Sequence, residues 1–155
     1  MRRADREVTL KHEIEEIIAR ADVCRIAFAV NNEPYIVTMN FGHTWNDKLV
    51  FYFHGANAGR KIEMMNQNSR VCFELDTDHQ LVQGERSCDW SMLYASVVGY
   101  GTLRIASTEE ERIIGLDVLM AHYGKMEDNT YHDGLLKRTA VFVLEVDKCT
   151  AKRKE

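Results

Sequence analysis

The chain has 155 residues and a net charge of −4. That length suits one domain, 1–155, with a substantial core. The acidic balance argues against a general nucleic-acid binder, which carries a basic excess on one face. No apolar run approaches the length of a membrane span, and the charged N-terminus lacks a signal-peptide core, so a cytoplasmic protein without membrane or nucleic-acid partners is expected.

The four cysteines show no C-x-x-C spacing, which points to neither a zinc site nor a redox dithiol. Cys24 and Cys72 lie in apolar runs and read as buried thiols. The basic ends, Arg2-Arg3 and Lys152-Arg153-Lys154, read as solvated tails.

Leu10, Ile14, Ile17, Ile18 and Ala21 keep helical spacing, which predicts an N-terminal helix. From Val23 the period becomes two, with Cys24, Ile26, Phe28 and Val30 on one face. Asn31-Asn32-Glu33-Pro34 is a turn signal, and Tyr35 to Phe41 alternates again. A polar segment over 42–47 leads to a third strand over 48–54. A short helix follows from about Ala58 to Gln67, with Ile62 and Met65 inward.

Residues 70–77 form the next strand, with Asp76-Thr77-Asp78 as a turn, and 78–91 read as a polar loop. The run 92–106 is a long strand in which Gly99 and Gly101 mark a bulge or a close backbone approach. Ser107-Thr108-Glu109-Glu110 reads as a capping box opening a helix with Ile113, Leu116, Met120 and Tyr123 on one face. Residues 124–138 read as loop, and 139–146 as the last strand. Six strands and three helices without βαβ alternation predict a mainly β protein: an antiparallel sheet closed as a small barrel with flanking helices.

One segment stands out chemically. The strand over 48–54 runs into His54-Gly55-Ala56 and then Gly59-Arg60-Lys61 at a helix start. Glycines let the backbone approach a ligand. Cations at a helix N-terminus are disfavoured by about 0.3–1 kcal/mol each, and a bound anion reverses that sign. Arg60 and Lys61 are therefore either tolerated solvent-facing cations or phosphate ligands. Thr38 and Asn40 share the polar side of their strand and either edge a ligand or face solvent. The Ser96 hydroxyl, in an apolar strand, needs a partner, either a backbone carbonyl or a ligand. The six histidines show no metal-ligand spacing.

Ala21-Asp22-Val23-Cys24-Arg25, Pro34-Tyr35-Ile36-Val37, Asn40-Phe41-Gly42, Tyr52-Phe53-His54-Gly55-Ala56, Gly59-Arg60-Lys61, Val71-Cys72-Phe73-Glu74 and Ser96-Val97-Val98-Gly99-Tyr100-Gly101 occur in an order that resembles the pyridoxamine 5′-phosphate oxidase-like FMN-binding proteins. Arg2-Arg3-Ala4-Asp5-Arg6-Glu7 precedes them. Within that family the chain is most similar to the 5-nitroimidazole resistance, nitroreductase-type proteins.

The resemblance implies a six-stranded antiparallel split β-barrel, homodimeric, with FMN at the subunit interface. It implies that Val37, Thr38, Met39 and Asn40 lie along the flavin ring, largely through backbone groups. Phe53, His54, Gly55 and Ala56 would follow beside the ring and ribityl chain. Gly59, Arg60 and Lys61 would hold the phosphate, and Ser96 would make a polar cofactor contact. His54 matches the functional histidine of the nitroimidazole subgroup. Trp90 and Tyr94 are candidates for the second subunit's contribution.

Thr38 stands where that subgroup often has proline, and His43 replaces a common aromatic residue. Vitamin B6 oxidation is not expected, because the C-terminal substrate segment of the true oxidases is missing. The implied activity is electron transfer from a reduced nicotinamide donor to a small flat acceptor such as a nitroimidazole. The alternative is a non-catalytic flavin or haem carrier or sensor, with His54, His43 or His79 as haem ligands.

Overall fold

A computed structural model describes residues 3–155, so Arg2 lies outside the described residues. One antiparallel sheet organises the chain. Its strands are β1 (Glu7–Val8), β2 (Cys24–Val30), β3 (Glu33–Met39), β4 (Phe41–Trp45), β5 (Leu49–Ala56), β6 (Arg70–Val82), β7 (Ser91–Ile105) and β8 (Thr139–Lys154). The helices are α1 (Lys11–Arg20), α2 (Arg60–Gln67), α3 (Glu109–His122) and the single turn α4 (Asp133–Leu136). The strand order is β3-β2-β6-β7-β8-β5-β4, with β1 paired to β8. The mainly β split-barrel class holds, but there are eight strands instead of six.

The two additional strands arise differently. β1 is a two-residue pairing of Glu7 and Val8 with Lys152 and Ala151, which isolated sequence cannot signal. β4 occupies most of the segment read as polar. Phe41 is fully buried, and the segment pairs with β5 from Phe41↔Phe53 to Trp45↔Leu49. Tertiary pairing thus overrides the weak β-propensity of Gly42.

Three other expectations change. The 78–91 loop shrinks, because β6 continues past an irregularity at Thr77/Gln80 and pairs to Val82↔Ser91. Asp76-Thr77-Asp78 therefore lies within a strand, where Asp76 accepts from Arg25 at 2.6 Å and Asp78 from Arg20 at 2.9 Å. The C-terminal cations are not a solvated tail: β8 runs to Lys154, and Ala151 between β7 and β1 is fully buried. The helix cap of α3 sits one residue later than read. Thr108 Oγ1 accepts from the Glu111 N–H at 3.1 Å, and the Glu111 carboxylate accepts from the Ser107 N–H at 2.7 Å. Its buried stripe centres on Gly115 and Leu119 rather than on the expected face.

Inside the barrel the alternation does what it predicts. Ile26 and Phe28 of β2, Phe51 and Phe53 of β5 and Phe73 of β6 all point inward and are at most 1% exposed. Phe51 is the hub, 5.5 Å from Phe41 and 5.0 Å from Phe73 between ring centroids. Ile14, Ile17 and Ile18 of α1 join this core. The opposite face of β5 and β8 (Tyr52, Val141, Val143) forms a second, smaller core with Ala106 and Leu116. At Gly101 the register shifts, and a Cβ there would lie 2.3 Å from the Glu145 carbonyl oxygen. The close approach expected of that glycine is therefore present.

Candidate functional site

The split in the barrel follows from the pairing pattern. β3 and β4 are consecutive in the chain, joined through Asn40, yet they end at opposite edges of the sheet. β4 pairs with β5 only as far as Phe53. Beyond it, His54, Gly55 and Ala56 are paired on one side alone, with Val141, Ala140 and Thr139 of β8. β3 is likewise paired only with β2. Two strand edges with unused backbone N–H and C=O groups thus flank one slot. Unpaired ladder groups are the strong hydrogen-bonding groups a flat, amide-bearing ring requires.

The Asn40 corner is held by Tyr123, at the end of α3. Its hydroxyl donates to the Asp22 carbonyl at 2.7 Å and accepts from the Asn40 side-chain amide at 3.0 Å and the Phe41 N–H at 3.2 Å. Tyr123 read as one more face residue of a helix. Only the long-range fold shows it as the tie between β2, β3 and β4.

The sequence-selected residues divide by direction. Met39 and Phe53 are buried in the barrel and Val37 is half-buried on the same side, so these side chains face away from the slot. Their backbone is what the slot can use. Thr38 and Asn40 are exposed on the other face, and His54 and Ala56 are exposed at the end of β5.

Gly59 (φ 110°) precedes α2 in a conformation that favours glycine, and its carbonyl accepts from Ile62 and Glu63. Arg60 pairs with Glu33 at 2.5 Å and lies 4.9 Å over the Tyr35 ring, which ties the helix start to β3. Lys61 crosses to the other side of the slot. Its ammonium lies 5.5 Å from the Phe142 ring centroid, and a Cβ on Gly55 would come within 3.0 Å of its Cε. Among the described residues Lys61 has no carboxylate partner. The glycine at 55 thus makes room for a cation that no carboxylate among the described residues neutralises.

Ser96 is not brought to this slot within one chain. It lies on β7, opposite Asp76 and Lys152, with β8 between it and β5. The face it belongs to runs in registered rows: Ile36, Ala27, Cys72, Tyr100 and Lys148 in one, and Thr38, Arg25, Glu74, Val98 and Thr150 in the next. Ile36, Tyr100 and Val98 on it are 63%, 44% and 37% exposed.

The candidate haem histidines have separate surroundings. His43 is packed against Phe51 and His122, and burial first, then the His122 charge, push its imidazole down to about 4. His79 pairs with Asp76 at 3.0 Å. His54 faces a small pocket lined by Tyr131, His132 and Leu135, in the segment read from sequence as featureless loop.

The chain is a split barrel with a cation-flanked slot between β3 and β5, and the comparisons agree on that fold. Residues 11–153 match the model of the pyridoxamine 5′-phosphate oxidase family, and the chain belongs to that family. A candidate 5-nitroimidazole antibiotic resistance protein from Bacteroides thetaiotaomicron is 34% identical, with a TM-score of 0.81 over 94% of this chain and 85% of that one. At lower identity the fold alone is shared. The flavocytochrome Anf3 from Azotobacter vinelandii is 18% identical, with a TM-score of 0.81 over 100% of this chain and 72% of that one. An FAD and heme binding protein from Mycobacterium smegmatis is 16% identical, with a TM-score of 0.82 over 97% and 74%. No curated protein matches. Among the described residues no helix is long and apolar enough to cross a membrane.

Proposed function

We propose that this chain is a homodimeric, FMN-dependent oxidoreductase that passes electrons from a reduced nicotinamide donor to a small flat acceptor such as a nitroimidazole. The observation that carries the reading is the slot between β3 and β5, with Arg60 and Lys61 at one end and unpaired strand edges along its sides. Bound FMN would supply the hydride and electron chemistry, while the protein positions and tunes it.

The residues fit the group. The α2 start and Lys61 suit a phosphate. The backbone of Val37–Asn40 and of Phe53–Ala56 suits the polar edge of a planar ring. His54 is placed to contact an acceptor, and Ser96 contacts the cofactor of the other subunit across the Tyr100–Val98 face. The likeness to the Bacteroides thetaiotaomicron protein supports the acceptor class.

The test is an absorption spectrum of the purified protein, with mass spectrometry of whatever denaturation releases. A flavin spectrum, bleached anaerobically by NADH or NADPH and restored by a nitroaromatic, is expected. Protein that stays colourless and takes up no FMN overturns the reading. Flavin uptake without reduction by either donor indicates the non-catalytic binding role. A Soret band on haem addition that His54→Ala abolishes indicates the haem variant.

A further inference from the structure

The residue that borders the slot, His54, also opens onto a second space. A pocket of about 220 Å³ lies between the end of β5 and the segment around α4. Its apolar wall is made by Leu116, Leu135 and Leu136. Typical ligand pockets run to several hundred Å³, so this one takes a fragment the size of one substituted ring.

The polar groups of the pocket divide into engaged and free. The Tyr131 hydroxyl donates to Asp117 Oδ1 at 2.7 Å, and burial together with that carboxylate pushes the phenol above its ordinary range. Its proton is therefore committed, and the ring serves as a wall. The Thr139 hydroxyl is likewise used, donating to the Leu135 carbonyl at 2.9 Å. The exposed Thr130 hydroxyl and the imidazoles of His54 and His132 remain, and of these only the imidazoles are ring-sized polar groups. Both histidines are exposed, and among the described residues neither imidazole has a hydrogen-bond partner. No Asp, Glu, Lys or Arg lines the pocket. An ion entering it would lose hydration with no opposite charge to meet it, whereas a neutral ring with a polar edge would lose little.

We propose that this pocket is a binding site for a neutral, single-ring aromatic compound whose polar edge is read jointly by His54 and His132, with Tyr131 and Leu135 setting the size limit. As the seat of the electron acceptor it rests on the flavin reading above; as a ligand site it stands on its own lining. Residues 131–135 then decide which acceptors enter, independently of the slot that holds the cofactor.

The test uses benzamide as the neutral probe and benzoate as its charged isostere, at pH 8, above the ordinary imidazole range. Histidine Cε1–H resonances are followed by NMR and assigned with His54→Gln and His132→Gln. Benzamide is expected to move both resonances along one saturation curve, with benzoate at least tenfold weaker. Leu135→Trp, at a position 58% exposed and so free to accept a larger side chain, is expected to raise the benzamide midpoint at least tenfold.

A silent His132, equal binding of benzoate, or an unchanged midpoint in Leu135→Trp overturns the proposal. A parallel FMN titration separates the two readings. FMN uptake without a benzamide response overturns the pocket alone. A benzamide response without FMN uptake leaves the pocket standing and overturns the flavin reading.

Discussion

Tyr123 and Asn40 meet at the one point where the chain passes from one edge of the sheet to the other. The Asn40 amide donates to the Tyr123 hydroxyl at 3.0 Å, and that hydroxyl donates in turn to the Asp22 carbonyl at 2.7 Å. The bond fixes the corner of the slot without a residue from either strand's core. Tyr123→Phe leaves the N–H of the buried Phe41 without its acceptor and the Asp22 carbonyl without its donor. It should lower stability by about 1–3 kcal/mol, because removing the hydroxyl leaves a buried backbone donor unsatisfied. Denaturant unfolding measures the loss, and FMN titration should show weaker uptake through the loosened corner.

The cations at the α2 start should differ in consequence. Lys61→Ala removes a cation without a carboxylate partner among the described residues. It should weaken FMN binding about tenfold to a hundredfold, the range of one charge-assisted hydrogen bond. Arg60 has Glu33 as an exposed internal partner at 2.5 Å. Glu33→Gln should release it and tighten FMN by up to about fivefold, with stability nearly unchanged, as exposed pairs contribute little. Flavin fluorescence quenching reads both. Unchanged affinity in Lys61→Ala removes the phosphate assignment.

His43 predicts an acid sensitivity. Its imidazole is held down to about 4, whereas an unfolded histidine titrates near 6.5. Glu15 stands 3.9 Å away, too far to offset the burial. The unfolded state therefore binds the proton first. Stability is fully present above about pH 6.5 and declines as the pH falls towards 4, by roughly 1–3 kcal/mol. In His43→Phe that decline should flatten, as measured by urea midpoints between pH 7 and 4.

The face carrying Tyr100 and Val98 should be the dimer surface. Tyr100→Glu with Val98→Glu places two charges where the proposed partner covers the exposed side chains of Tyr100 and Val98. Sedimentation should show monomer, and FMN affinity should fall with it, because Ser96 then reaches no second site. A monomer that still binds FMN tightly contradicts the arrangement.

Gly101→Ala should cost roughly 1–3 kcal/mol, since the added Cβ would sit 2.3 Å from the Glu145 carbonyl oxygen in the β7–β8 ladder. Thermal unfolding is the readout.

Much of the fold was legible because period and burial agree. The alternation through Cys24, Ile26 and Phe28 and the spacing of Ile14, Ile17 and Ile18 place those side chains in the core with no need for neighbours. The charge oddity of Gly59-Arg60-Lys61 is visible for a similar reason: a helix start has a sign, and two cations oppose it.

What sequence did not reveal depends on pairing. β1, β4, and the extensions of β6 and β8 carry weak or polar patterns and become strands only because a partner edge is present. Tyr131 and His132 have no periodicity, and only the return of the chain through α4 brings them to His54. Within its own chain Ser96 is separated from β5 by the whole of β8, a distance only the strand order shows. The sequence by itself determined which side chains turn inward and where two cations gather at a helix start, because both are local properties of period and charge. The tertiary structure alone decided where the sheet stays open, since an unpaired edge exists only once every other strand has found its neighbour.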